Sequence, residues 1–478
     1  TPEGRISLRF EGGSSHPRTA FAQTATGFLI LKALHEQILR FEAKGMVKRM
    51  EYWEFLRPIF DGQGRFAGII AIHRHTMEIQ AFLGKSVVMA TGGLGRIYGT
   101  STNSLLSTGI AASRMVQHGA YFCNGEFIQF HPTAVPLKGA KMLLLSESIR
   151  GEGGRVWTWR DGKKWYFLEE WFPEYGNLAP RDMTSRAIFK VIHQMSIHLE
   201  GQEAVYLDIT HLPRKKIEIS LGDILQKYHH LTGQDPYQNP MKVRPAMHYS
   251  MGGLWVDEKQ ATSIPGVFAA GEVEFQYHGA NRLGGNSLMA CLFGGKEAGL
   301  SLVEWVEGQE IKNNLASMEI HPILEEEKKI LEELKNREGR ENPYLILKEL
   351  QENMMNKVGL VREKEGLIKA VEKIQELEER LYHLRICDPS DFCNETLLFA
   401  RGLKDMIRLA HIIAKGALMR EESRGGHFRS DFPHRRDGKF LKTTVAKWTE
   451  EGPAFWYEEV DTRWIEPAPR KHQEPLAS

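Results

Sequence analysis

The sequence predicts an α/β fold, α+β overall, that is divided into several domains and includes a helical region. Two observations predict the α/β part. An apolar strand at residues 87–90 runs into a glycine loop, and a second strand ends at Gly271-Glu272 before a glycine-rich loop and a helix. The third observation is the composition beyond Gly308, which turns to Glu, Lys and Leu with apolar residues at helical spacing.

Length, charge and cysteine usage exclude several classes of protein. A chain of 478 residues is too long for one small core. The 62 Lys and Arg are balanced by 61 Asp and Glu, and a net charge of +1 argues against nucleic acid as a partner. The four cysteines lack the spacing of cluster or zinc ligands, so we expect no metal site. With no apolar run near the roughly 20 residues of a membrane span and no signal peptide, we expect a soluble, cytoplasmic chain.

In chain order, the first elements are strand-like sequence that ends at Glu11 and an amphipathic helix that opens at Thr26. The apolar face of this helix consists of Leu29, Ile30, Ala33, Leu34, Ile38 and Phe41. Strands follow on both sides of a turn at residues 61–64. Further along, apolar faces at residues 367–384 and 397–419 predict a three-helix bundle, and residues 440–478 predict strand and coil.

Residues 247–288 contain the densest set of candidate binding groups. They predict a strand, a turn, a second strand that ends at Glu272, and a glycine-rich loop that enters a helix at Asn286. A strand end beside a helix N-terminus directs backbone N–H groups at one place, where an anion or a flavin ring can bind. His248, His278 and Arg282 lie among glycines that allow a ligand to approach the backbone closely.

The segment A-A-G-E, followed by H-G-A-N-R-L-G-G-N-S-L from His278 to Leu288, resembles the flavoprotein subunits of succinate dehydrogenase and fumarate reductase. The same segment resembles L-aspartate oxidase more loosely. The resemblance implies FAD as cofactor and a dicarboxylate, succinate or fumarate, as substrate. The family's G-x-G-x-x-G turn does not occur, since Gly93-Leu94-Gly95 lacks the third glycine, so no residue is assigned to the pyrophosphate or to covalent flavin attachment.

The resemblance also divides the chain into domains. It implies a partial Rossmann-like FAD-binding domain, without the family's N-terminal lobe, that holds an inserted capping domain and precedes a helical bundle domain and a short C-terminal segment. The expected boundaries are 1–130 and 245–308 for the FAD-binding domain, 131–244 for the capping domain, 309–435 for the helical domain and 436–478 for the tail. Residues 236–245, rich in Pro and Asn, are the expected return hinge.

Three segments are expected to contact FAD. By resemblance, the loop after the strand at residues 87–90 lies against the adenosine side, and Glu272 contacts the ribose. The start of the helix at Asn286 meets the isoalloxazine edge, where a helix N-terminus favours reduced, anionic flavin. The full expected set is Ala90, Thr91, Gly92, Gly93, Glu272, Asn286, Ser287 and Leu288.

Succinate is a dianion, and binding it requires two cationic clamps, for which arginine suits a carboxylate better than lysine. The resemblance assigns Arg282 with His248 to one carboxylate and His131 with Ser146 to the other. Glu11 is expected in the same pocket.

The resemblance assigns proton transfer to Arg181 of an L-x-x-R-D motif, relayed through Glu147 and Arg150. Glu147 and Arg150 are three residues apart and share a face on a helical turn. Asp182 precedes an apolar helix and is expected to cap its N-terminus while Arg181 points into the cleft.

Glu11 departs from the resemblance, since succinate dehydrogenases usually carry phenylalanine here and L-aspartate oxidases carry glutamate. Two accounts are open. The substrate is aspartate-like, or Glu11 is neutral or turned toward a cation such as Arg18. We favour the second account because the other matching segments are closer to the succinate group.

Three hypotheses of function follow. The first is the flavoprotein subunit of a succinate dehydrogenase or fumarate reductase, which passes electrons to an iron–sulfur subunit. Such a chain is peripheral on the cytoplasmic, inner face of the membrane, joined indirectly to a membrane anchor subunit. The second is L-aspartate oxidase, which needs no iron–sulfur partner, and the third is a flavin-free remnant that serves as a scaffold. R-L-G-G-N-S-L and the long helical region favour the first.

Overall fold

The structure is a computed structural model that describes residues 4–11, 16–22, 25–137, 142–308, 320–465 and 467. It is a mixed helix and strand fold, which confirms the predicted class. The helices are α1 Thr26–Ala43, α2 Ile110–Gln117, α3 Ser148–Gly151, α4 Phe167–Trp171, α5 Arg181–Phe189, α6 Arg214–Thr232, α7 Asn286–Gly308, α8 Ile320–Lys335, α9 Pro343–Lys357, α10 Lys364–Arg380, α11 Glu395–Met419 and α12 Asp437–Phe440. The strands are β1 Leu8–Arg9, β2 Thr19–Ala20, β3 Trp53–Phe60, β4 Phe66–His73, β5 Ile79–Leu83, β6 Val87–Met89, β7 Phe122–Cys123, β8 Ile128–Val135, β9 Leu143–Leu144, β10 Arg155–Arg160, β11 Lys163–Trp165, β12 Val205–Asp208, β13 Met241–Ser250, β14 Gly253–Leu254, β15 Val267–Ala269, β16 Lys442–Thr449 and β17 Gly452–Glu459.

The two strands predicted to end on glycine loops are neighbours. β6 and β15 pair in parallel, with Val87 opposite Val267 and Met89 opposite Ala269. The N–H of Ala270 donates to the carbonyl of Met89 at 3.0 Å, which holds the two chains together where the strands end. Because carboxyl ends of parallel strands meet at one edge of a sheet, the loops after β6 and after β15 lie side by side.

A six-stranded antiparallel sheet has the order β11-β10-β12-β13-β8-β9. Every residue of β8 is buried, as expected for a strand covered on both faces. Residues of α5, α6 and the strands β10, β12 and β13 form an apolar core of their own, which includes Ile188, Leu221, Val205 and Val243. The strands β8 and β13 therefore lie where this second core meets the main core of the molecule.

The helical region contains four long helices, α8 to α11, where we predicted a three-helix bundle. The first of them, α8, was not predicted. It buries only a narrow stripe that includes Leu331 and Leu334, and its many charged residues make the apolar pattern weak in the sequence. Asparagine side chains cap the starts of α9 and α11. The side chain of Asn342 accepts a hydrogen bond from the N–H of Tyr344, and the side chain of Asn394 accepts one from the N–H of Leu397.

The predictions for the first helix and for the C-terminal segment are confirmed in part. The helix predicted at Thr26 forms as α1, but none of its residues is buried among the described residues. β16 and β17 form a hairpin in the segment predicted as strand and coil. Over the described ranges, no helix is long and apolar enough to cross a membrane.

Candidate functional site

Two histidines meet on neighbouring strands of the six-stranded sheet. His131 lies on β8 opposite Ala246, and His248 is the extra residue in a bulge of β13 between Met247 and Tyr249. Such a bulge redirects a side chain relative to a regular strand. The two imidazole rings lie edge to face with centroids 5.0 Å apart.

The hydrogen bonds of these rings leave one nitrogen of each for a ligand. Nδ1 of His248 lies 2.8 Å from Oγ1 of Thr102, and Nδ1 of His131 lies 3.3 Å from the N–H of Thr133. Neither Nε2 atom has a hydrogen-bond partner in the part of the chain that the structure describes. Burial and then the charge of Arg181 lower the pKa of both rings well below the ordinary value, so both are neutral at pH 7.

Arg181, the first residue of α5, lies in a buried charge cluster with Glu147 and Arg150. Its Nε donates to Oε2 of Glu147 at 3.0 Å, and Nη2 of Arg150 donates to Oε1 of the same carboxylate at 2.6 Å. Burial alone would raise the pKa of Glu147, but the charges of Arg181 and Arg150 outweigh burial and lower it. One ionised carboxylate therefore joins two guanidinium groups.

Arg282 is a third buried guanidinium in this site. The residue is 3% exposed and stacks over Tyr249, with 4.6 Å from its Cζ atom to the ring centroid. Its Nε has no hydrogen-bond partner among the described residues. Burial, and then the charge of Arg181, lower the pKa of Arg282 to about 10. An unpaired buried donor on a cation is a group that an anionic ligand would satisfy.

Gln129 links Arg181 and Arg282, and no motif in the sequence indicates this role. Its Oε1 accepts from Nη1 of Arg181 at 3.0 Å, and its Nε2 donates to the carbonyl of Arg282 at 2.7 Å and to Oδ1 of Asn281 at 3.0 Å. This side chain fixes the distance between the start of α5 and the loop before α7. In the sequence, Gln129 stands between the apolar residues Ile128 and Phe130 of β8, so only the fold identifies it as a partner of the two arginines.

Glu11 is turned toward a cation, but that cation is Arg9 and not Arg18. Nε of Arg9 donates to Oε1 of Glu11 at 3.1 Å, whereas Nη1 of Arg18 donates to Oδ1 of Asn286 at 3.1 Å. The residue is 4% exposed. Burial, and then the charge of Glu147, raise the pKa of Glu11.

Asp182 does not cap α5, so that prediction was wrong. The helix begins at Arg181, its N-cap residue is Pro180, and no side chain caps it. Oδ2 of Asp182 instead accepts from Nη2 of Arg186 one turn later, and its Oδ1 accepts from Nδ2 of Asn281. Arg186, four residues after Asp182, pairs with this carboxylate in preference to the backbone N–H groups at the helix start, because the two side chains are buried together.

Ser146 lies beside β8, but its hydroxyl is used locally. The N–H of Leu145 donates to the carbonyl of Thr133 at 2.9 Å, which ties this segment to the strand of His131. The Ser146 hydroxyl accepts from the N–H of Ser148 at 3.3 Å and shares a hydrogen bond with its hydroxyl, at the start of α3. Ligand binding by Ser146 would require this hydroxyl to be shared.

The residues predicted to hold FAD line the edge where β6 and β15 end. A Cβ atom at Gly93 would lie 2.4 Å from Oε1 of Glu272, so only glycine fits. The same oxygen accepts from the N–H of Ser250 at 3.0 Å, and burial raises the pKa of Glu272 to about 7. The loop at Ala90, Thr91 and Gly92 adjoins it, and Gly92 has a φ of +73° that favours glycine.

The first turn of α7 supplies an apolar surface at the same edge. Asn286, Ser287 and Leu288 begin the helix as predicted. Leu288 is 38% exposed and Met289 is 66% exposed. A half-exposed apolar turn beside glycine loops, and beside an arginine whose Nε has no partner among the described residues, suits a flat ring with a polar edge, so these residues fit a flavin.

Comparison with known proteins tests this interpretation. The FAD binding domain profile matches residues 1–288, and the fumarate reductase flavoprotein C-terminal profile matches residues 347–472. The chain is 46% identical over 475 residues to the succinate dehydrogenase flavoprotein subunit of Bacillus subtilis, an alignment that covers 99% of this chain and 81% of that protein. It is 34% identical to the fumarate reductase flavoprotein subunit of Escherichia coli, covering 98% of this chain and 78% of that protein.

A solved structure shows the same likeness in three dimensions. A variant of E. coli quinol fumarate reductase matches with a TM-score of 0.90 and 32% sequence identity, covering 99% of this chain and 81% of that chain. These similarities confirm that the chain is a flavoprotein subunit of the succinate dehydrogenase and fumarate reductase type, and they do not favour the oxidase or the flavin-free remnant. They also confirm FAD as the cofactor. The chain belongs to the family of succinate dehydrogenase and fumarate reductase flavoprotein subunits, which are FAD-dependent oxidoreductases.

Proposed function

We propose that this chain interconverts succinate and fumarate at the cluster formed by Arg181, Arg282, His131 and His248. The observation that carries the proposal is Nε of Arg282, a buried cationic donor without a partner among the described residues, beside a second arginine held by Glu147. Two neutral histidines complete the lining. This donor set suits a small dianion whose two carboxylates need separate partners.

In this proposal Arg282 and His248 bind one carboxylate of the substrate. His131, with Ser146, binds the other. The imidazoles donate as neutral groups, so they add hydrogen bonds without adding to the charge of three buried guanidiniums. Holding both carboxylates fixes the two central carbons in one orientation, and the buried lining keeps water away from them, which together supply much of the rate.

FAD, when bound, would supply the acceptor for a hydride from one of the two central carbons. We propose that Arg181 carries away the proton that leaves the neighbouring carbon. The guanidinium is held in place by Glu147 and Gln129, and Glu147 also binds Arg150, so a proton has a continuous path through three side chains. Burial lowers the pKa of Arg150 at the far end of this path, which favours release of a proton there.

The cofactor would lie along the edge formed by β6, β15 and α7. Gly92 and Gly93 allow its close approach, and Glu272, with a pKa of about 7, is the hydrogen-bond partner proposed for its ribose. Leu288 lies on the apolar turn proposed for the isoalloxazine ring.

The relatives are named as subunits, so assembly with partner chains is expected in general. We propose an iron–sulfur subunit as the electron acceptor. The sequence supports this because its four cysteines lack cluster spacing, so clusters must be supplied by another chain. A membrane anchor subunit would then hold the assembly on the inner, cytoplasmic face of the membrane.

The substitution Arg181→Lys tests the proton-transfer role. We expect turnover of succinate by the FAD-loaded protein to fall by about 10²–10⁴-fold, since this is the scale of one acid–base group. The dissociation constant for a dicarboxylate, measured from flavin difference spectra, should change little. Arg214→Lys makes the same change at an exposed position on α6 and should leave both values unchanged. Turnover of Arg181→Lys within a few-fold of the parent would remove Arg181 from the mechanism.

A further inference from the structure

A short segment, residues 100–103, runs beside β13 at the bulge that carries His248. The N–H of Met247, the residue before the bulge, donates to the carbonyl of Thr100 at 3.1 Å. The N–H of Thr102 donates back to the carbonyl of Met247 at 3.0 Å. These two backbone hydrogen bonds hold the main chain of Thr102 next to the ring of His248.

Asn103 holds the main chain of His248 from the same segment. Its Nδ2 donates to the carbonyl of His248 at 2.9 Å. Its Oδ1 accepts from the hydroxyl of Ser101 at 3.2 Å, and a Cβ atom at Gly95 would collide with this oxygen, so only glycine leaves room for the amide. Because the main chain around the bulge is held, the orientation of the His248 ring depends on the contacts of its own nitrogens.

Thr102 determines which nitrogen of His248 carries the proton. Burial holds the pKa of His248 well below its ordinary value, so the ring is neutral at pH 7, and one nitrogen donates while the other accepts. The Thr102 hydroxyl lies 2.8 Å from Nδ1 of His248 but 3.4 Å from the carbonyl of Met247. That carbonyl already accepts from the N–H of Thr102 and from the hydroxyl of Ser101. The Thr102 hydroxyl therefore donates to Nδ1, and the proton of the ring lies on Nε2.

Nε2 of His248 is the nitrogen that can meet a ligand. It has no hydrogen-bond partner among the residues that the structure describes, and the residue is partly exposed. An ionised carboxylate only accepts hydrogen bonds, so it binds to Nε2 when this atom carries a proton and is repelled by its lone pair when it does not. The neighbouring ring of His131 has the same tautomer, because its Nδ1 faces the N–H of Thr133, which can only donate.

We propose that Thr102 is a positioning residue for the dicarboxylate, which acts through His248 by holding the proton of that ring on Nε2. The inference rests on the proposed function, in which His248 and Arg282 bind one carboxylate of the substrate. Without the hydroxyl, Nδ1 becomes a buried acceptor that lacks its partner, and the ring gains by turning away. That rotation must be reversed before a carboxylate can bind.

Binding of malonate to the FAD-loaded protein, followed by flavin difference spectra, tests this role. Thr102→Val replaces the hydroxyl by a methyl group and should raise the dissociation constant by about tenfold, the scale of leaving one buried acceptor unpaired. Thr102→Ser keeps the hydroxyl and should keep the affinity of the parent. In both variants kcat at saturating succinate should change little, because Thr102 contacts no reacting atom.

Thr76→Val is the matched control. The hydroxyl of Thr76 lies 3.2 Å from Nδ1 of His73 at the end of β4, and neither residue is assigned to FAD or to the substrate. This variant should keep the dissociation constant and the kcat of the parent. Equal or tighter malonate binding by Thr102→Val would overturn the proposal, because Thr102 would then not hold the proton on Nε2. Equally weak binding by Thr102→Ser would also overturn it, because the hydroxyl would then not be the group that matters.

Flavin content and melting temperature of each variant are measured first. Thr102→Ala, which removes the hydroxyl without adding a methyl group, carries the test if Thr102→Val does not fold. Failure of this inference is distinct from failure of the proposed function. A parent that binds malonate as tightly as Thr102→Val does overturns only the role of Thr102, whereas a parent that binds no malonate overturns both.

Discussion

Gly284 lies where an added methyl group would disturb the proton-transfer cluster. A Cβ atom there would be 2.8 Å from Cβ of Glu11 and 2.9 Å from Oε2 of Glu147. Ordinary contact begins near 3.4 Å, so Gly284→Ala requires 0.5 to 0.6 Å of movement. Glu147 cannot move alone, because Arg181 and Arg150 each hold one of its oxygens.

We therefore expect Gly284→Ala to displace the guanidinium of Arg181 by about half an ångström. A misplacement of 1 Å costs about 10²-fold in rate, so kcat should fall by about tenfold. The assay is steady-state oxidation of succinate with an artificial electron acceptor, with flavin content measured from the visible spectrum. Flavin content should remain that of the parent, because the added methyl group would meet Glu11 and Glu147 and none of the residues assigned to FAD.

Gly295→Ala is the matched control, since a Cβ atom at Gly295 on α7 meets no heavy atom within 4 Å. Alanine in a helix interior is favoured over glycine by about 0.5–1 kcal/mol. This variant should keep the kcat of the parent and melt at a slightly higher temperature. A kcat for Gly284→Ala within twofold of the parent would refute the assigned role of the Glu147 carboxylate.

Three further predictions address binding, specificity and pH. Arg282→Lys should weaken dicarboxylate binding by about 2–4 kcal/mol in flavin difference titrations, because the lost guanidinium donor faces a buried charge; unchanged affinity would remove it from the site. Glu11→Phe should keep or raise succinate turnover, because Arg9 already occupies the carboxylate, and aspartate turnover that is present in the parent and lost in the variant would contradict this. Burial, and then the charge of Arg362, hold the pKa of His427 well below its ordinary value. Below about pH 6.5 the unfolded chain therefore binds a proton at this residue that the folded chain does not bind, and the stability of the folded state falls. Melting temperatures at pH 7.5 and 5.5 should therefore drop less in His427→Gln than in the parent, and equal drops would count against this account.

The parts of the site that could be predicted from sequence depend on short-range signals. The start of α7 at Asn286 follows from a glycine-rich loop before an apolar run. The strands before Thr91 and before Gly271 follow from apolar runs that end on glycines. In each case the residues that decide the structure lie within a few positions of one another.

The rest depends on partners distant in sequence. Gln129 and Arg181 are 52 positions apart, and nothing near Gln129 marks it as a partner of an arginine. His248 is displaced by a bulge, which arises from pairing with β8 and not from its own neighbours. Glu11 had two arginines within reach, and only the fold of β1 selects Arg9.

One buried contact determines when the site can form as the chain is made. Glu126, just before β8, accepts at Oε1 from Nε of Arg420 at 2.6 Å and from Oγ1 of Thr444 at 2.6 Å, across 294 and 318 residues. Until those partners have been synthesised, Glu126 is a charge that is costly to bury. We therefore expect the strand that carries His131 to dock fully only after Thr444 has been synthesised, and long loop closure makes this step slow.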